Sequence, residues 1–530
     1  LHIGGWRNMA LRGVLDRAQV HGVALTAADV RAEFTATKAS HVSSRVDAST
    51  YVAFKDPAKP IGLLDTGALQ IHTKGSAQAL VQDCEIHCVG PGIEISPNIF
   101  TQARMDPANP EPMEASTSDV LVQRCTVRGY YGGEPDRLPS AGASGRTVGV
   151  VIHNGKRIIV EHCNFASANR YHRRILNRTM LSLNTGNRWL YFAHNVSKDV
   201  GTHRSVTGMD RNQGEQYLIH YRYVPGGLFR VASSTSTQTT IDTRTLSIRQ
   251  DEPEYQSAKF LWNPLGSAIP AEVGANGHWM LFVSQGRGAG QYRQIAGRED
   301  GEGSVALTLE KPWRVAPDAT SRVHLITAHR DMILYGNTVD GGQQVLTDKT
   351  HGVTFWYWTF GTVVAGNTFR NMTAGVVYNS RYAGPCGWNL VRNNTIEGMW
   401  GFTGDTSEKA ALYVDHYRPH KAWAAPEDRV WYSVGNICRG NRGSNSAVAA
   451  FLHRRPEPAV RELVSGPETD SGIVLSVIEN NAFADVEQGI VISAPTNCCL
   501  LRNNQVGTRG RDTPPIQDVS PKLTDCLIVP

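Results

Sequence analysis

The sequence predicts an all-β protein: a parallel β-solenoid interrupted by an inserted β-rich domain. Three observations carry that expectation. A short strand–turn–strand pattern recurs along most of the chain. No amphipathic helix longer than three turns separates the copies, as a helical crossover would require. One interval between copies is far too long for a single coil. Composition agrees. Of 530 residues, 41% are apolar and 19% charged, and 51 are Gly, which suits a large, turn-rich core and excludes a disordered chain.

The repeat consists of apolar residues, two polar ones, Cys or Asn, a polar residue and an apolar one. It reads LVQDCEI at Cys84, VLVQRCTV at Cys125 and IIVEHCNF at Cys163, then YFAHNVS at Asn195, ILYGNTV at Asn337 and VVAGNTF at Asn367. It continues as LVRNNTI at Asn394, SVGNIC at Asn436, VIENNAF at Asn481 and LLRNNQV at Asn504. Each apolar run is a short strand. The Asn or Gly-Asn that follows tolerates the left-handed backbone of a tight turn. Stacked coils would place one Asn above the next, so that their amides bond along the stack. Cys84, Cys125 and Cys163 share that column and read as small, reduced, buried side chains.

A second strand follows each turn. Its expected copies are 92–96, 149–153, 180–184, 217–221, 345–349, 375–379, 401–405, 450–454 and 489–493. Several alternate with the period of two that a strand imposes.

The strand–GNT/NNT–strand coil resembles the right-handed parallel β-helix superfamily typified by pectate lyases. The resemblance covers roughly 75–508 and implies a right-handed parallel β-helix, with carbohydrate-active members as the functional precedent. The NTD, DD, GHG and RxK motifs of its polygalacturonases are not found in their proper arrangement. The calcium-binding carboxylates and RxxR signature of its pectate lyases are not evident either.

The interval from Asn195 to Asn337 is 142 residues. Pro225, Gly226 and Gly227 break the pattern, an S/T-rich run follows, and alternating strands come next (278–284, 291–297, 304–310, 321–327). The expected organisation is therefore a cap over 1–74, β-helix over 75–224, an inserted β-rich domain over 225–326, β-helix over 327–508 and a tail or cap over 509–530. The inserted domain would have its two ends close together. GRGAG at 286–290 reads as a turn cluster, because no helix follows it to bind phosphate.

Ligands of a solenoid lie along the outside, where side chains of successive coils form rows about 4.8 Å apart. At the ends of the second strands the sequence offers Ser96, His153, Asn184, His220, Asp348, Asn379, Asp405, His453 and Ser493, with Lys349 and Arg381 beside them. Such a row suits a linear polar polymer, a polysaccharide or an oligosaccharide. Two carboxylates suffice for glycoside hydrolysis. Asp348 and Asp405, expected two coils or about 9–10 Å apart, and Glu215 are the candidate catalytic acids. His153, Asn184, His220, Lys349, Asn379, Arg381 and His453 are candidate substrate contacts. Trp358, in FWYW, and Trp400 could stack on sugar faces.

A glycoside hydrolase acting on a plant or algal glycan is the leading reading. A lyase on a uronate polymer is the second: Arg381, Lys349 or the Arg170–Arg178 run would neutralise the carboxylate, and His220 or a Tyr would take the proton. A non-catalytic, tailspike-like adhesin is the third. No cofactor or metal is expected, since Pro419 argues against a helical His pair in HYRPH. The net charge of +5 does not call for nucleic acid, and no apolar run is long enough for a membrane helix. The chain opens at Leu1 without an n-region or h-region, so it reads as mature or trimmed, and a secreted or periplasmic location is expected.

Overall fold

The computed structural model describes residues 2–3, 18–21, 69–71, 78–88, 91–95, 117–129, 148–167, 179–184, 186–198, 217–219, 225–243, 263–264, 269, 273–274, 279–341, 350–356, 358–379, 386–400, 410–417, 432–455, 472–493, 496–510, 514–518 and 523–529. Among them there is no α-helix. Ten coils each contribute to two long parallel sheets.

A coil begins in sheet I, turns, runs through a leading and then a trailing strand of sheet II, and rounds a corner into the next coil. Coil 3 shows the order: Gly155–Glu161 in sheet I, then Asn164–Ser167 leading and Thr179–Asn184 trailing. Every junction between successive coils is parallel, as between Ile158, Leu190 and Val120, or between Val376, Val353 and Leu412. In coils 8 and 9 the two strands of sheet II run on as Arg442–Arg455 and Ala482–Ile492. One core of Ile, Val, Phe, Cys and Leu runs the whole length between the sheets.

The turn from sheet I into sheet II explains the repeat. The residue before each ladder position is left-handed, as at Arg124, His162, His194, Asn393 and Asn480 (φ 52 to 55°), or is a glycine such as Gly336 or Gly366. The next residue turns inward. Asn195, Asn337, Asn367, Asn394, Asn441, Asn481 and Asn504 form one continuous ladder. Each amide donates to the Oδ1 of the next at 2.9–3.1 Å. Cys84, Cys125 and Cys163 extend the column as reduced, buried thiols, as their small size predicts. The Cys125 thiol is pushed up, first by its contact with Cys163.

One expected member is displaced. Asn436 belongs to a second, shorter ladder at the bend within sheet I, where Thr362 N donates to Asn389 and Asn389 N to Asn436. Asn441, five residues on, takes its place in the main column. The segment NICRGNRG holds an Asn at each of two turns, and the apolar pattern alone does not say which turn is which.

Two trailing strands also lie later than expected. They are His351–Trp356 and Ala410–Tyr417, not 345–349 and 401–405. HGVTFW is richer in β-branched and aromatic residues than VLTDK, and AALYVDHY lacks the two glycines of GFTGD, so they make better strands. The earlier segments lie outside the described residues.

At the start, Leu69–Ile71 is already a parallel trailing strand, while Ala18–His21 and His2–Ile3 pair antiparallel against the first coils. At the end the solenoid does not stop at 508: Ile516–Asp518, Leu523–Thr524 and Leu527–Val529 still pair parallel in register.

The insertion is a separate antiparallel unit. Six antiparallel strands run in the order Gln238–Asp242, Ser304–Leu309, Tyr292–Gly301, Met280–Gln285, Arg322–Ile326, Pro225–Ser234, the last pairs again with the first, and a short seventh strand, Asn263–Pro264, pairs parallel with Pro225–Ser234. The sheet closes around Phe229, Ile241, Trp279, Leu281, Val305 and Leu325. Its first and last strands pair, with Gly227 opposite Leu325, so the two ends do lie together. The solenoid ladder passes the insertion without a break, because Asn195 bonds directly to Asn337.

The module docks on the corner of coils 5 to 7. Phe282 and Tyr292 meet Phe360 at ring distances of 5.0 and 5.4 Å, and His324 meets Trp358 at 5.1 Å. The indole N–H of Trp388 donates to Gly290 O at 2.6 Å. Gly290 and Gly435 are both left-handed and close on this ring; a Cβ on Gly435 would sit 2.4 Å from it.

Candidate functional site

The trailing strands of sheet II place their last residues in a row. His153 is in register with Asn184, and Leu183 above Ile152 continues to Ile219 and Phe355. In the later coils Trp356, Asn379, Asp415 and His453 stand in successive register, and Ser493 follows Ile492, the partner of Leu452. The residues just before them, Ile152, Ile219, Phe355, Tyr378, Val414, Leu452 and Ile492, form a column in the core. The row therefore marks the downstream edge of the stripe, at the corner into sheet I.

The face of this stripe is itself covered. Glu94, Val151, Thr354, Val377 and Val491 alternate with the core column, yet all are buried. Sheet I differs, since Ile159, Ile333 and Tyr335 remain 39–44% exposed. Within sheet II the trailing stripe is thus closed, whereas the leading strands expose Glu85, Arg128, Arg370 and Glu397.

The sequence-predicted residues divide accordingly. His153, Asn184, Asn379 and His453 hold the expected register, and His153 is buried. In coils 5 and 7 the row is occupied by Trp356 and Asp415, in place of the expected Asp348 and Asp405. The reason is the later start of those two strands. Asp348, Lys349, Asp405, Glu215, His220 and Arg381 lie outside the described residues, as does the Arg170–Arg178 run. Trp358 is 2% exposed and packs against the module through His324, so it fills an interface and does not offer a face to a sugar. Trp400 is 38% exposed, with the Arg509 guanidinium 4.6 Å from its centroid. Asp415 was legible as the sixth residue of AALYVDHY, had the strand been placed there.

Around the corner from the row, sheet I opens with a second feature that the sequence reading passed over. Lys156, Arg188 and Arg330 are register partners in coils 3, 4 and 5. Each stands seven residues before its ladder residue, Cys163, Asn195 or Asn337. Lys156 follows His153 by three residues and Arg188 follows Asn184 by four, so these two cations share an edge with the row, while Arg330 follows the last strand of the module. Burial lowers the Lys156 ammonium, and repulsion from Arg188, Arg157 and Arg330 adds to it. Arg188 is pushed down to about 10, first by burial, then by Arg330 and Arg157. The exposed ring of Trp189 lies beside them, 5.3 Å from Lys156 Nζ and 5.7 Å from Arg188 Cζ.

Nearby anions are largely engaged. Asp119 accepts from Arg157 Nε and Nη2 at 2.6 and 2.5 Å, and that pair of bonds holds its carboxyl below the usual range. Asp331 lies 3.7 Å from Arg330, whose guanidinium also donates to Gln294 of the module. Among the described residues no group of three or more His, Cys, Asp or Glu is placed to hold a metal ion.

No family model matches the chain, and no curated protein matches it. Solved structures do. The tailspike protein of E. coli bacteriophage HK620, in complex with pentasaccharide, aligns at 10% identity and TM-score 0.37, over 84% of this chain and 52% of that one. A hyperthermoactive exopolygalacturonase from Thermotoga maritima aligns at 8% identity and TM-score 0.30, over 81% of this chain and 79% of its own. The chain spans about half the length of the tailspike chains it matches. By its own strand pairing, this chain is a parallel β-helix interrupted by a closed antiparallel β module.

Proposed function

We propose that the chain is a carbohydrate-active enzyme, a glycoside hydrolase that takes a linear polysaccharide or oligosaccharide along the strand-end edge of sheet II. The observation that carries the reading is the polar register row, above all Asn379, Asp415 and His453 in three successive coils. A row advancing about 4.8 Å per coil presents regularly spaced polar groups to an extended polar polymer. Hydrolysis needs one carboxyl to protonate the leaving oxygen and another to activate water or attack the sugar. Asp348, Asp405 and Glu215 remain the proposed acids, and Asp415 joins them by its place in the row. An enzyme of this kind works where such polymers are, outside the cytoplasm.

A lyase is the second reading, favoured by the stacked cations at the same edge, since a uronate carboxylate must be neutralised before its α-proton is removed.

The test is a glycan panel read two ways, for new reducing ends and for the ultraviolet absorbance of an unsaturated sugar. Reducing ends alone support the hydrolase, and absorbance supports the lyase. Binding with neither product would make the protein an adhesin and end the catalytic proposal. On the substrate so found, Asp348→Asn and Asp415→Asn are each expected to lower turnover by at least about a hundredfold with the fold retained. A variant with near-normal turnover removes that residue from the mechanism.

A further inference from the structure

We propose that the corner formed by Lys156, Arg188, Arg330 and Trp189 is a subsite for an oxyanion, a carboxylate or sulfate carried by the glycan that lies along the adjacent row. The proposal rests on the glycan reading above and narrows it to an anionic polymer.

Three cations in direct register are an unusual use of a β-ladder, because like charges placed opposite one another destabilise a sheet. Elsewhere in this protein stacked charges are commonly arranged with opposite signs. Asp83 pairs with Arg124, Arg370 with Glu397, Asp485 with Arg509, and Glu479 sits between Arg439 and Arg502. At the corner, Ser118 precedes Lys156, Arg188 and Arg330 in the column, and Phe360 follows them, so no carboxylate interleaves the cations.

The field is also concentrated. Arg188 and Arg330 are buried, where charge is screened less than at an open surface. Arg157 adds a fourth cation from the neighbouring position, although Asp119 holds it. Asp331, next to Arg330 in the solenoid, and Glu310 of the module oppose the field, and Lys311 of the module reinforces it. Lys156 and the exposed Trp189 are the parts a ligand would touch first. The two guanidiniums behind them supply field, and Arg suits planar oxyanions.

The position ties the corner to the row. His153 and Asn184 end their strands three and four residues before Lys156 and Arg188, at one edge of the prism. A polymer on the row would bring its acidic substituents past the corner in coils 3 to 5.

The experiment uses the full chain and four probes: dextran, dextran sulfate fragments, alginate oligomers and sodium sulfate. Calorimetry measures binding, and acrylamide quenching compared between wild type and Trp189→Phe reports on the corner. Dextran sulfate or alginate is expected to bind and to protect Trp189, whereas dextran is not. Lys156→Gln is expected to weaken that binding about tenfold, the scale of one charge-assisted hydrogen bond, and Lys156→Glu further. Thermal melts separate a binding defect from an unfolded variant: removing a repelling charge should leave the melting temperature of Lys156→Gln equal or higher. Anionic binding indifferent to Lys156→Glu, or protection of Trp189 by sodium sulfate alone, overturns the subsite. Cleavage of neutral glycans only would overturn it and leave the enzyme proposal standing. Anionic glycan bound through Lys156 without cleavage would support the subsite and count against the enzyme.

Discussion

Asn367 shows how much one side chain does in this fold. Its amide donates to Leu334 O, Ala365 O and Asn394 Oδ1 at 3.0–3.2 Å, and its Oδ1 accepts from Asn337. All of these atoms are buried. Truncation would strand several backbone and side-chain groups without water, a loss of about 2–5 kcal/mol. Asn367→Ala is therefore expected to shift the urea midpoint strongly. Asn503→Gly, an exposed and left-handed position (φ 52°), should stay within about 0.5 kcal/mol. Equal effects in the two variants would show that the ladder does not hold the coils.

His324 is the second residue with a measurable signature. It is fully buried between Phe282 and Trp358, and burial pushes its imidazole down from 6.5 to about 3. The unfolded chain takes up this proton near 6.5, while the folded state resists until about 3. The contribution is fully present above 6.5 and is lost as pH falls through that window. Melting temperature should therefore drop between pH 7 and 4, and His324→Phe should flatten that dependence. An unchanged slope in the variant would assign the acid sensitivity elsewhere.

At the scale of elements, the module is both separate and docked. It has its own core, and its ends are paired, so excision of 225–326 with a short Gly/Ser linker bridges a small gap. The Asn195–Asn337 bonds still join coils 4 and 5, and the parallel sheets are expected to survive in circular dichroism and hydrogen exchange. The excision also uncovers Phe360 and Trp358, both buried in the intact protein, so the shortened chain should bind a hydrophobic dye. Collapse of the sheets would mean that the module is part of the main core. Dye binding unchanged from wild type would mean that the docking surface closes over.

At the scale of the whole molecule, the same corner carries three things: the ends of the trailing strands, the cationic column and the base of the insertion. The corner is short in coils 2 to 4, where Asn154 alone separates His153 from the next sheet I strand, and it opens after coil 4 to admit a module of about a hundred residues. The cations stand in coils 3 to 5, the module docks over coils 5 to 7, and Asn379, Asp415 and His453 follow in coils 6 to 8. The proposed subsite and the proposed catalytic edge therefore lie on either side of the docked module, and a glycan panel read on variants of both tests them separately.

The solenoid was legible in the sequence because its repeat is local. An apolar run, a left-handed turn and an inward small residue are all set within eight residues, and stacking then follows from the need to pair every strand. The insertion was legible because it broke that rhythm. What lay beyond the sequence was register at a distance. Asn436 and Asn441 are five residues apart and both suit a turn, and only pairing with Asn394 and Asn481 separates them. Asp348 and Asp405 looked like strand ends, but the trailing strands of coils 5 and 7 begin later, at His351 and Ala410, which places Trp356 and Asp415 in the row. Lys156, Arg188 and Arg330 sit at one motif position yet are spread over 174 residues, and their mutual repulsion exists only when three coils are stacked. The coil is written locally, because hydrophobic period and turn chemistry act over a few residues. Which residues share a column follows only from strand pairing across coils, because the length of chain between strands carries no local signal for register.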